Sequence, residues 1–162
     1  MDSQHAPGPA YVFDLDGTLV DTAPDLLGAL NAILSREGRR LAQLEELRHI
    51  VGLGSARMLL QAFELTGAPL DEARLPQMVD AYISYYRAHI AEGSRPFAGV
   101  VETLQRLKAQ GARLAVLTNK PQELTDLLLP ALGLDHLFGA IHGAGRMEFS
   151  KPDARVFHAV IE

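Results

Sequence analysis

Cysteine is absent from this sequence. Disulfides and thiolate metal sites are therefore excluded, and a reducing compartment is permitted. An excess of basic residues is also lacking. Fifteen Lys and Arg stand against 20 Asp and Glu, a net charge of −5. That balance argues against a nucleic-acid surface, which needs a basic patch. An anionic substrate stays open, because a phosphate is bound by local groups rather than by net charge. No apolar stretch approaches the roughly 18 uninterrupted residues of a membrane span. The N-terminal Met1 to Ala10, with Pro7 and Pro9, has no basic-then-apolar order, so it does not read as a signal peptide. The expectation is a soluble cytoplasmic protein with neither nucleic acid nor membrane as partner. No internal repeat or low-complexity tract is present. His49, His89, His136 and His142 have no metal-ligand spacing and read as surface or structural histidines. Tyr82, Tyr85 and Tyr86 read as packing.

What remains is an ordinary globular composition, 48% hydrophobic and 22% charged over 162 residues. That is enough for one domain, or a small domain carrying an insert. Tyr11-Val12-Phe13 is a β-prone apolar run that reads as a buried strand delivering Asp14 at its C-terminal end. Thr22-Ala23-Pro24-Asp25 reads as a helix start, with Thr22 as N-cap and Asp25 as its acidic N3 partner. Leu26 to Leu34 then repeat at helical spacing as far as Gly38. A second helix is expected over about Leu44 to Val51, broken by Gly52-Leu53-Gly54. Ser55 is placed to cap a third, and a fourth spans about Glu72 to Ile90.

The period then changes. A helix through Val101, Leu104 and Leu107 leads to a short strand, Leu114 to Leu117, stopping at Thr118-Asn119. A helix from Pro121 to Leu132 leads to a weak strand, Ala140-Ile141-His142, and a last helix begins after Lys151-Pro152. The alternation predicts an α/β fold, a parallel sheet with helices on both faces in three layers. The all-helical stretch is expected as an insert over 22–93, between core segments 10–21 and 94–162.

Chemistry concentrates at strand ends. Asp14 and Asp16 are two residues apart, after an apolar strand and in a tight turn that Gly17 permits. They can face one open crevice, since ligands of open α/β sheets bind beyond the carboxyl ends of the strands. One carboxylate can attack phosphorus; the other can pass a proton to the leaving oxygen and later take one from water. Two anions beside a phosphate require a cation, and oxygen-only ligands suit Mg²⁺. Thr118-Asn119 ends the second strand, where a hydroxyl and backbone amides can hold a transferring phosphoryl group. The ammonium of Lys151 could offset clustered negative charge.

The string Asp14-Leu15-Asp16-Gly17-Thr18-Leu19-Val20-Asp21, then Thr118-Asn119, then Lys151-Pro152-Asp153, resembles in order and context the first three motifs of the haloacid-dehalogenase superfamily. The resemblance implies a Rossmann-like core with a small helical cap inserted after the first strand. It implies Asp14 as nucleophile, Asp16 as acid/base, and Thr118 and Lys151 as phosphoryl-binding groups. Mg²⁺ would be held by the Asp14 carboxylate, the Asp16 backbone carbonyl and an acid on a later strand. Ala23-Pro24-Asp25-Leu26, Val51-Gly52-Leu53-Gly54 and Leu117-Thr118-Asn119-Lys120-Pro121 are similar to bacterial phosphoglycolate phosphatases, which implies 2-phosphoglycolate as substrate. Gly52 and Gly54 would let the backbone approach a ligand, and Ser55 and Arg57 would offer amides and charge to a carboxylate.

A fourth motif, an acidic pair on a later strand, is not found before Glu162. Asp153 and Glu162 are the only acids after Pro152. The expectation is therefore a truncated core with an incomplete metal site and an exposed first strand. Alternatives are a β-phosphoglucomutase or pyrophosphatase on the same core, or an inactive phosphate-binding fragment.

Overall fold

The computed structural model describes residues 8–47, 49–50 and 54–161. The chain divides into two compact units, Val20–Arg95 and the remainder on either side of it.

The flanking unit holds a three-stranded parallel sheet in the order β1-β4-β5. Its strands are β1 (Ala10–Phe13), β4 (Arg113–Pro121) and β5 (Ala140–Ala144). Between them run α5 (Val100–Ala109) and α6 (Gln122–Ala131), and α7 (Ala154–Ile161) follows β5. The expected parallel α/β sheet is borne out. Both crossovers step the same way across the sheet, so right-handed connections put α5 and α6 on one face. α7 packs back over β4 and β1. The strand between them is covered on both sides: Leu114, Ala115, Val116, Leu117 and Thr118 are all buried, although successive side chains point oppositely. α5, α6 and α7 all pack against it and contribute buried residues of their own: Leu104 from α5, Leu124, Leu128 and Leu129 from α6, and Val156 from α7.

β1 is the exposed strand expected from the missing fourth motif rather than the buried strand its apolar run suggests. It is the edge of the described sheet, paired with β4 alone, and Tyr11 is 40% exposed. The expected end of the next strand is corrected: β4 does not stop at Thr118-Asn119 but stays extended to Pro121, with buried Thr118 and Lys120 alternating with exposed Asn119.

The other unit is helical: α1 (Ala23–Arg36), α2 (Leu44–Leu47), α3 (Ser55–Thr66) and α4 (Leu75–Ala88). Leu30, Ile33, Leu34, Leu59, Phe63, Tyr82 and Tyr86 form its core. The expected end of the second helix, Val51, and the Gly52-Leu53 break lie outside the described residues. The expected fourth helix is split, a short 3₁₀ turn over Glu72–Arg74 preceding α4. Two short strands, β2 (Val20–Asp21) and β3 (Arg95–Pro96), pair where the chain enters and leaves.

The capping scheme read from sequence is also corrected. Thr22 occupies the N-cap position of α1 without a capping hydrogen bond. Asp25 instead accepts from Gly93 N at 2.6 Å, Ser94 N at 2.8 Å and Ser94 Oγ at 2.5 Å. Its partners lie far along the chain, and there a carboxylate meets three donors rather than one. Gly54, with φ +92°, is the N-cap of α3, and Ser55 is its first helical residue.

Candidate active site

Parallel pairing brings the C-terminal ends of β1 and β4 together. Phe13 lies opposite Val116, so Asp14 leaves the sheet at the same edge as Leu117 and Thr118. On the other side of β4, Leu117 pairs with His142 and Pro121 with Ala144, with an irregularity between. Gly143 fits that irregularity. A Cβ there would lie 2.7 Å from Gln122 Cα and 2.8 Å from the Lys120 carbonyl oxygen.

Asp14 is the open carboxylate of the site, with a side chain 44% exposed. Its Oδ1 accepts from Leu15 N at 2.8 Å, and its Oδ2 lies 2.8 Å from Lys151 Nζ. The turn beyond it is closed by Thr18 N and Leu19 N, both donating to the Leu15 carbonyl. Gly17 takes φ +74° there, a conformation that costs other residues a Cβ clash.

Asp16 faces a different neighbour. Lys120 Nζ sits 3.0 Å from its Oδ1 and 3.3 Å from its Oδ2. Sequence reading missed Lys120, since a lysine after Thr-Asn at a strand end looks solvated. The signal was its two-residue spacing from Thr118, which puts both side chains on one face of an extended strand. Thr118 is buried, and its Oγ1 accepts from Lys120 N at 3.1 Å.

Asn119 engages Lys151 rather than the open crevice. Its Nδ2 donates to the Lys151 carbonyl at 3.1 Å and its Oδ1 accepts from Lys151 N at 3.0 Å. Asp14, Asp16, Thr118, Asn119, Lys120 and Lys151 are thus gathered at one sheet edge. Gly54 and the exposed Arg57 belong to the helical unit, at the start of α3.

Asp153 accepts from Arg155 N, Nε and Nη2 at 2.6–3.1 Å. The Arg155 guanidinium and amide hold its carboxyl down at about 2. Burial, and then the charge of Arg146, push the His142 imidazole below its ordinary value. Among the described residues no three His, Asp or Glu side chains gather as a metal cluster. The open Asp14 carboxylate and the backbone carbonyl of Asp16 are nevertheless hard oxygen donors that fit Mg²⁺, which is commonly held by one or two carboxylates with water and substrate phosphate. Among the described residues, no helix is long and apolar enough to cross a membrane.

Known proteins resemble this chain in sequence and fold. The profile of the haloacid dehalogenase-like hydrolases matches residues 11–162. Phosphoglycolate phosphatase of Caulobacter vibrioides is 46% identical over 154 residues, covering 95% of this chain and 65% of that protein. Phosphoglycolate phosphatase of Agrobacterium fabrum is 42% identical, covering 95% and 66%. This chain thus spans slightly under two-thirds of the length of these relatives. The crystal structure of a predicted phosphoglycolate phosphatase from Haemophilus somnus is similar at a TM-score of 0.84 and 32% identity, covering 95% of this chain and 70% of that one. With the paired aspartates, the Thr118 strand end and Lys151 at one sheet edge and the profile spanning nearly all of the sequence, this chain belongs to the haloacid dehalogenase-like hydrolase family.

Proposed function

We propose that the protein is a Mg²⁺-dependent phosphatase of a small phosphate monoester, 2-phosphoglycolate, acting through an aspartyl-phosphate on Asp14. The observation that carries this reading is the difference between the two carboxylates. Asp14 is open and oriented by one amide and one ammonium; Asp16, two residues on, is enclosed. The relatives' names supply the substrate.

In this reading an Asp14 oxygen attacks phosphorus, and the ester P–O bond breaks. Asp16 gives its proton to the departing alkoxide oxygen. Asp16 then takes a proton from water, whose oxygen attacks phosphorus; the Asp14–phosphorus bond breaks and phosphate leaves. Thr118 Oγ1 and Lys151 Nζ hold the phosphoryl oxygens in both steps. Asp14 and Asp16 would hold Mg²⁺, which when bound offsets the negative charge shared by carboxylate and phosphoryl oxygens. Gly54 and Arg57 are assigned to the substrate carboxylate. Gly54 has open space where a Cβ would be, and Arg57 brings charge to the first turn of α3.

Phosphate release from phosphoglycolate, phenyl phosphate, β-glucose-1-phosphate and pyrophosphate tests this. Phosphoglycolate is expected to be the best of the four, with EDTA stopping release and Mg²⁺ restoring it. Arg57→Ala is expected to weaken use of phosphoglycolate more than of phenyl phosphate, which has no carboxylate. Full activity after exhaustive chelation, or preference for a sugar phosphate, would refute the corresponding part.

A further inference from the structure

Lys120 places its amino group where almost no solvent reaches it. Its side chain is 3% exposed. Burying an ammonium is unfavourable unless it is paired and hydrogen-bonded. Its partner is Asp16, bridged across both carboxylate oxygens at 3.0 and 3.3 Å. Asp16 is itself only 11% exposed. The lysine is anchored as firmly as the pair it forms. Its amide donates to Thr118 Oγ1 at 3.1 Å. Gly143 fits against its carbonyl with no room for a side chain, and Gly143 N donates to Gln122 Oε1 at 2.6 Å. Neighbouring strands and the start of α6 fix Lys120, not a loop.

A proton donor is effective only within about 2.6–3.2 Å of the atom it serves. A carboxylate on a turn has several staggered rotamers, most of which miss that window. We propose that Lys120 is the positioning residue for Asp16, selecting the side-chain orientation from which it serves the ester oxygen. The proposal rests on the phosphatase reading above and deepens it. It gives the two lysines separate work: Lys151 meets the nucleophile, while Lys120 acts through Asp16.

The chemistry supplies a diagnostic. Proton donation matters most when the departing oxygen is a basic alkoxide, and least when it is an acidic nitrophenolate. The experiment measures kcat/KM of the full chain on a series of phosphate monoesters, from alkyl through phenyl to nitrophenyl. The variants are Lys120→Met, Lys120→Arg, Asp16→Asn and the double variant K120M/D16N. General acid catalysis contributes roughly 100- to 10,000-fold, so K120M should lose about 10- to 100-fold more on the alkyl ester than on the nitrophenyl ester. K120R, which keeps the charge and offers N–H donors to a carboxylate, should recover part of that selective loss. K120M added to D16N should steepen the leaving-group dependence no further. Equal losses across the series, or further steepening in the double variant, would overturn the role of Lys120 while leaving the phosphatase reading intact. If K120M does not fold, the leaving-group dependence of K120R against the parent decides the same question. A parent chain that hydrolyses no ester in the series would overturn the phosphatase reading, and this role with it.

Discussion

Asn119 shows how a site can depend on a residue that need not touch its substrate. Both of its amide atoms are committed to the backbone of Lys151, and Lys151 reaches Asp14. Asn119→Ala should therefore release the segment carrying Lys151. A displacement of about 1 Å can cost about 100-fold in rate, so kcat/KM should fall 10- to 100-fold. The thermal midpoint should move little, since these hydrogen bonds are solvent-exposed. A large drop in stability with unchanged kcat/KM would contradict the assignment. Asp14→Asn should be far more severe, several powers of ten, because an amide is a poor nucleophile toward phosphorus. Retention of more than about a hundredth of the activity would exclude Asp14 as nucleophile. His142 offers a test by pH. Its folded-state value is depressed below 6.5, so folding favours the neutral ring. That contribution is complete above 6.5 and is lost as pH falls toward the folded-state value. Between pH 7 and pH 5 the parent should lose more stability than His142→Gln, measured by denaturant unfolding. Equal losses would remove His142 from the account.

At the scale of elements, the legible parts were those with local causes. An apolar run ending in Asp14-Leu15-Asp16-Gly17 names its own strand and turn. Leu26 to Leu34 name a helix face. What the sequence hid was settled by distant partners. Asp25 has every local mark of a helix-capping acid, yet its donors are Gly93 and Ser94. Lys120 is polar and follows a strand, and only the packing around Asp16 buries it. β1 is apolar enough for a central strand, and its exposure was legible only from the absent fourth motif, because periodicity does not report which neighbours a strand acquires. The Asp25 interaction yields a stability prediction. Asp25→Ala leaves two backbone donors and a buried hydroxyl without their acceptor, so it should cost about 2 kcal/mol or more. Chemical denaturation would measure this, and a change below about 0.5 kcal/mol, the usual surface level, would contradict it. Gly143→Ala should disturb the strand end, because the added methyl meets backbone atoms at 2.7–2.8 Å that have no flexible end to yield.

On the scale of the whole chain, two cores are built from non-overlapping sets of residues. The sheet unit relies on the leucines of α6 and the buried run of β4. The helical unit relies on Phe63, Tyr82, Tyr86 and the leucines and isoleucine of α1. A Val20–Arg95 segment expressed alone should therefore show helical circular dichroism and a cooperative thermal transition. A featureless melt would mean that its packing needs the flanking segments.

The pairing of β2 with β3 has a consequence for how such a protein changes over evolutionary time. Because the strand entering the helical unit runs beside the strand leaving it, the two ends of the helical stretch are held together. Insertions, deletions or wholesale exchange inside it alter the length of a loop whose ends are already joined. Lengthening such a loop costs little, about 0.6 kcal/mol per doubling. Changes in the length or sequence of the helical stretch can thus accumulate while the pairing of β2 with β3 is kept.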